Sequence, residues 1–390
     1  MIRHASLFSQ LIGFFDRNKF RCQVVKHKSE RYSKGFKSWD QFVAMLFCQL
    51  AQAKSLREIS GGLACCMGKL RHLGISEAPK KSTLSYANKK RDWRMFRDLF
   101  YETYDFCRES MPGKHKFRFK NKLLSLDSTT ISLCLNLFPW AEFRRTKGAV
   151  KLHLLLDHDG YLPSYAYISN GKTHESTYAR KFPLASGSIV TMDRGYNDYK
   201  LFSFWTAQGV YFVTRLKENA DYEVISEREL PLRRNILSDQ TIRFKGYYAR
   251  KHCPSLMRRV VVWDAENQKE LVLLTNHHDF GATTISAIYK DRWQIELFFK
   301  AIKQNLKIKT FVGTSENALY IQIWTALIAM LLIKFLQLKS KFAWSLSNLV
   351  AFLRWNLFAY KDLWEWIDKP FEVVPETPPP MQMELPFKGV

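Results

Sequence analysis

The chain has 390 residues, 46% of them hydrophobic, enough to bury a sizeable core in two or three domains. Its formal net charge is +24, and within residues 1–120 there are 25 Lys and Arg against 10 Asp and Glu. A basic, aromatic-rich start suits nucleic acid better than a small anionic substrate, with an anionic membrane surface as the other polyanion to weigh. The seven cysteines form no C-x-x-C pair and are odd in number, which argues against a zinc framework or disulfide scaffold and for reduced thiols in a cytoplasmic protein.

The opening "MIRHASLFSQLIGFFDRNKF" has no continuous apolar run and no small-residue cleavage site, so it does not read as a signal peptide. Residues 1–115 read as a helical, basic DNA-binding domain. Ser38 is placed to cap a helix through "WDQFVAMLFCQLAQA". "SLREISGGL" follows, with Gly61-Gly62 expected to break its pattern. A further helix starts near Ser82-Thr83, and the pair fits a helix-turn-helix. Lys81, Lys89, Lys90 and Arg91 would then touch phosphates; a solvated basic surface is the plainer alternative.

"MPGKHK" marks a linker, after which the pattern turns to strands. "KLLSLDSTTISL" alternates, and "AVKLHLLLDHDGYLPSYAYIS" reads as a hairpin turned at Asp157-His158-Asp159-Gly160. A short helix, a strand ending at Asp193, an amphipathic helix and the strand "GVYFVTRLK" complete residues 116–216. Residues 217–280 are short β-like runs, read as an inserted β subdomain. Residues 281–312 hold one helix that completes the core, 313–365 are further apolar helices, and 366–390 form a Pro-rich tail expected to be disordered. The run from Ala318, "ALYIQIWTALIAMLLIKF", is short for a membrane span and broken by Gln322 and Thr325, so it reads as a buried helix and no membrane is expected. The fold class is α/β (α+β): a mixed sheet with helices over its faces.

Three acids stand out. Asp127 lies inside an apolar strand, where Asp is disfavoured, and Asp193 ends another. Glu296 lies in "IYKDRWQIELFFKAIK". At about 100° per residue, Tyr289, Arg292, Glu296 and Lys303 share a stripe roughly 60° wide on that helix, with Lys300 beside them. An exposed Arg–Glu pair would use the same spacing. If a later helix lowers Glu296 onto Asp127 and Asp193, the three carboxylates suit two Mg²⁺ (or Mn²⁺) ions and phosphodiester chemistry.

Asp127, Asp193 in "DRGY" and Glu296 within Y-x2-R-x3-E-x6-K resemble the DDE insertion-sequence transposases of the insertion-sequence-four family, over about residues 1–340. The resemblance implies an RNase H-like catalytic core and cut-and-paste transposition, with a homodimer joining two transposon ends and target DNA. It implies Asp127, Asp193 and Glu296 as catalytic metal ligands, and Tyr289, Arg292 and Lys303 as grips on the phosphates near the cut. Relatives can stack a flipped base of a hairpin intermediate on a Trp of the last insertion strand. Here that strand, "ELVLLTN", has Leu271 in its place, and Trp263 one strand earlier is the substitute. Trp293 is expected to pack. Arg215 and Lys217 are further candidate DNA contacts, His174 is a candidate neighbour of the metal site, and His277-His278 has no ligand pattern. Another RNase H-like nuclease, or a DNA-binding descendant without catalysis, are the rival readings.

Overall fold

The computed structural model describes residues 5–372 apart from 32, 67–68, 111–115, 145–146, 173–174 and 233. Most of the linker, His174 and nearly all of the Pro-rich tail therefore lie outside the described residues.

The chain opens with six helices, α1 (Leu7–Ile12), α2 (Arg17–Lys26), α3 (Ser38–Leu50), α4 (Leu56–Ala64), α5 (Lys81–Lys90) and α6 (Arg94–Glu109). Side-chain caps start several of them: Asp16 accepts from Asn18 and Lys19, and Ser55 from Glu58. Ser38 is not the cap of α3. It is the first helical residue and fully buried, while Asp40 reaches back to the Lys37 amide at 2.7 Å. Gly61 and Gly62 do not break α4 but lie inside it. A Cβ on Gly62 would sit 2.8 Å from the Phe47 ring, so glycine there lets α4 approach α3. Between α4 and α5 run the sixteen residues 65–80, with a 3-10 turn at Lys69–Leu73, which is not the tight connection of a helix-turn-helix.

Strands β1 (Leu123–Leu133), β2 (Glu142–Arg144), β3 (Lys147–Asp157) and β4 (Leu162–Asn170) follow. Then come α7 (Glu175–Ala179), β5 (Ile189–Met192), α8 (Tyr199–Ala207) and β6 (Tyr211–Arg215). Next are β7 (Tyr222–Glu227), β8 (Ile236–Phe244), α9 (Tyr247–His252), β9 (Met257–Asp264) and β10 (Lys269–Thr275). Among the described residues these strands form one sheet, in the order β2-β3-β1-β5-β6-β10-β9-β8-β7, with β4 on β3. β1, β5 and β6 are mutually parallel and the other pairings antiparallel. The β-rich stretch does not close on itself as a separate sheet: β10 pairs with β6 and prolongs the first one.

The closing helices are α10 (Ala282–Asp291), α11 (Trp293–Asn305), α12 (Glu316–Lys339), α13 (Leu346–Asn356) and α14 (Leu363–Asp368). One sheet face packs Leu124, Leu126, Val190 and Met192 against α7, α8 and α9. The other packs Leu123, Ile189 and Val213 against Ile285, Ile288 and Tyr289 of α10. α12 is apolar and long enough to cross a bilayer, but 89% of its apolar window is buried in protein. It runs through a core shared by α1, α3, α6, α11 and α13, so the N-terminal helices pack against the C-terminal ones rather than around a core of their own.

Candidate active site

β1 and β5 lie parallel with Leu126 level with Met192, so the next residues, Asp127 and Asp193, stand level as well. Strand alternation puts both on the face opposite Leu126 and Met192, which is the α10–α11 face. Each carboxylate accepts the next residue's amide at 2.7 Å, Asp127 from Ser128 and Asp193 from Arg194. The Asp193 bond also caps the turn Arg194–Tyr196 that lifts the chain off the sheet.

The stripe of the third acid, Glu296, is not on one continuous helix. α10 stops at Asp291 and α11 starts at Trp293, because the Arg292 amide bonds Tyr289 O at 3.2 Å, three residues back instead of four. Arg292 keeps right-handed helical torsions (φ −51°, ψ −31°), so the stripe survives the joint. Its guanidinium donates to Glu296 Oε1 at 2.6 Å and lies 4.0 Å from Asp127 Oδ2. It also sits 5.6 Å from the Tyr289 ring centre, and its Nε is buried without a partner. Burial pushes the Asp127 carboxyl up to about 7; the Ser128 amide and Arg292 oppose this, and the charges of Glu175 and Glu296 add to it. Burial also raises the Tyr289 phenol, with Arg292 opposing and the Asp193 charge adding. Lys303 donates to Thr129 Oγ1 and, at 3.4 Å, to Thr130 O; burial, and then repulsion from Lys309, lower its pKa. Lys300 is exposed beside it.

Among the described residues, no three His, Cys, Asp or Glu side chains lie close enough to hold a metal ion. Asp127 and Asp193 are level, but Glu296 is turned to Arg292. The donor chemistry nevertheless fits a hard divalent cation. All three acids offer only carboxylate oxygen, and Asp127 is largely buried with its nearest cation beyond hydrogen-bond distance.

Beside the joint opens a groove of about 950 Å³ lined by Arg215, Trp263, Leu271, Tyr289, Arg292 and Trp293. Trp293 does not pack as expected: it is 55% exposed and faces this groove, as the 36% exposed Trp263 does. Lys217 bonds Asn197 O at 3.2 Å. His277 stacks on Phe280 and packs at a tilt against Tyr211. In the N-terminal helices, Lys81, Lys89 and Lys90 are exposed on α5 on one side with Ser82, Ser85 and the 67% exposed Tyr86. Arg91 is not available to phosphate. It is half-buried and donates to Lys37 O (2.8 Å), Gln41, Ser33 and Phe36 O, tying the end of α5 to the start of α3. Sequence reasoning passed over Thr129, two residues after Asp127 on the same strand face, and Glu175, which accepts from Ser128 Oγ at 2.6 Å on the opposite face. Strand alternation was the signal for Thr129; nothing local marks Glu175.

The family model described as "Transposase DDE domain" matches residues 118–332, more than half of the chain. A "Domain of unknown function (DUF4372)" matches residues 3–76. The chain is 31% identical over 264 residues to "Putative transposase y4zB" of Sinorhizobium fredii, covering 66% of this chain and 71% of that one. It is 30% identical over 243 residues to "Probable transposase for insertion sequence element IS5377" of Geobacillus stearothermophilus, covering 62% and 64%. It is 25% identical over 203 residues to "Transposase InsG for insertion sequence element IS4" of Escherichia coli, covering 49% and 44%.

Proposed function

The chain belongs to the DDE transposases of insertion sequences, and from that premise we propose that it cuts and pastes its element, with Asp127, Asp193 and Glu296 as the catalytic acids. It is a metal-dependent enzyme that cleaves and rejoins DNA, and its mixed sheet is the RNase H-like core of that family. The observation that carries the residue assignment is the level pairing of Asp127 with Asp193 on the face where α11 presents Glu296.

The three acids would hold two Mg²⁺ or Mn²⁺ ions, which supply activation of a water or 3′-hydroxyl and stabilisation of the leaving oxygen. The remaining groups bind and orient DNA. Arg292 pairs with Glu296 when DNA is absent, with Asp127 4.0 Å away, and on binding its planar fork turns to a phosphate. Tyr289 lies beside that guanidinium, its ring centre 5.6 Å away, and limits where it can turn. Lys303 leaves Thr129 for a neighbouring phosphate as a point charge. The groove past the joint takes the end of the transferred strand, with Trp263 as a stacking surface for a displaced base of a hairpin intermediate. Lys81, Lys89 and Lys90 hold the terminal inverted repeat on the exposed side of α5. Two copies of the chain bring the two ends together before the 3′-hydroxyls join target DNA.

The test is cleavage of duplexes carrying the element's ends. Asp127→Asn, Asp193→Asn and Glu296→Gln should each abolish nicking with Mg²⁺ or Mn²⁺ while end binding persists. Retained cleavage in any one variant removes that residue from the assignment.

A further inference from the structure

Ser125, Asp127 and Thr129 alternate along one face of β1, and each is tied to the segment that carries Glu296. Thr129 accepts from Lys303, and Asp127 lies 4.0 Å from Arg292. Ser125 reaches Asp291, the residue before Arg292, through a histidine. Its Oγ is 2.6 Å from His158 Nε2, and His158 Nδ1 is 2.6 Å from Asp291 Oδ2. An ionised carboxylate only accepts, so Nδ1 donates to Asp291, and Nε2 shares the second bond with the Ser125 hydroxyl. Asp291 also accepts from Tyr161 at 3.2 Å and from Lys116.

The order serine, histidine, aspartate is that of a nucleophilic triad. Burial excludes that use: Ser125 is 0%, His158 5% and Asp291 4% exposed, so no substrate carbonyl or phosphorus reaches the serine oxygen. Position is what the chain of bonds can set. His158 stands on the β3–β4 turn, where Gly160 and Tyr161 take positive φ (84° and 53°), and its amide bonds Leu123 O at 3.1 Å, fixing the turn to the start of β1. The α10–α11 joint lacks the ordinary helical hydrogen bond at Arg292, so its angle depends on outside contacts.

We propose that His158 is a positioning residue for DNA cleavage: bridging Ser125 to Asp291, it sets where Arg292 and Glu296 stand over Asp127. This rests on the reading of Asp127 and Glu296 as catalytic acids. A displacement of about 1 Å at such a site costs on the order of a hundredfold in rate.

The experiment uses the full chain, single-turnover cleavage of end duplex at saturating protein, and counts active molecules by titration. Ser125→Ala removes one oxygen and keeps the fold at risk low; His158→Leu removes both bonds, and Asp291→Asn weakens one. Each should slow cleavage by about tenfold to a hundredfold per active molecule, with end-DNA affinity unchanged within about twofold. The second readout is non-additivity: Ser125→Ala combined with Arg292→Ala should lose less than the product of the two single losses, since both act through the α10–α11 joint. A merely structural role lowers the melting temperature and the active fraction but leaves the rate per active molecule at the wild-type value. That result for Ser125→Ala, or losses that multiply in the double variant, overturns the proposal. Asp127→Asn run alongside separates the two ideas. If it cleaves, the catalytic assignment fails; if it is dead and Ser125→Ala is normal, only the positioning role fails.

Discussion

Asp127 should stabilise the protein when it is removed. The carboxyl is raised from its ordinary value of 3.8 to about 7, chiefly by burial. Below about pH 4 it is protonated in both the folded and the unfolded chain and has no effect. Between about 4 and 7 the unfolded chain loses the proton and the folded one keeps it, so folding stability falls as pH rises, and above about 7 the deficit is constant. The full gap corresponds to at most about 4 kcal/mol. The side chain is 21% exposed and solvent screens part of this, so about 1–3 kcal/mol is expected. Asn cannot ionise, and its oxygen can still accept the Ser128 amide. Asp127→Asn should therefore match wild type near pH 4 and exceed it by about 1–3 kcal/mol at pH 8 in chelator, while cleavage of end DNA is lost. Urea unfolding midpoints of both proteins at the two pH values, with the slope held common, measure the difference. Equal or lower stability of the variant at pH 8 would make Asp127 an ordinary structural acid and refute the reasoning.

Arg292→Ala and Lys303→Ala should keep end binding but alter the proportions of nicked, hairpin and joined products over time, because re-aiming a cut end depends more on phosphate grips than does the first nick; wild-type proportions would reduce Arg292–Glu296 to an ion pair. Replacing Lys81, Lys89 and Lys90 together with Ala should weaken binding to end DNA and flatten the log-affinity against log-salt slope by nearly one per lost phosphate contact, about three in all, as read by anisotropy at several salt concentrations. Trp263→Ala should leave nicking within about threefold and lower hairpin formation by about tenfold or more, consistent with loss of about 1–3 kcal/mol of base stacking; product gels check this.

The strongest local anomalies in the sequence were the most informative. An Asp inside the apolar run of β1, another closing β5, and four polar residues on one helical stripe each stood against the propensity of their surroundings, and the hairpin turned at Asp157–Gly160 is where the turn residues put it. What stayed hidden depends on residues far apart in the chain. The break at Arg292 has no Pro or Gly to announce it, and its torsions are helical. Gly61 and Gly62 looked like a stop because the Phe47 ring that abuts α4 comes from another helix. Arg91 looked like a free cation because its acceptors, at Ser33, Phe36, Lys37 and Gln41, lie 50 to 58 residues away in the chain. The continuation of the sheet through β10 rests on a pairing with β6 across some fifty residues. The sharing of one core by the N-terminal helices and α12 is more distant still.

Metal ligation by the three acids is tested most directly by changing the softness of one donor. Asp193 is the best placed, since it is only partly buried and its backbone carbonyl, which the substitution keeps, still accepts the Tyr196 amide of the turn after β5 at 3.1 Å. Asp193→Cys offers a thiolate, which binds Mg²⁺ poorly and softer ions such as Mn²⁺ better. End-DNA cleavage by Asp193→Cys should vanish in Mg²⁺ and return in Mn²⁺, while Asp193→Ala stays inactive in both. Equal cleavage by the Cys variant in the two ions, or recovery of Asp193→Ala in Mn²⁺, would contradict the account.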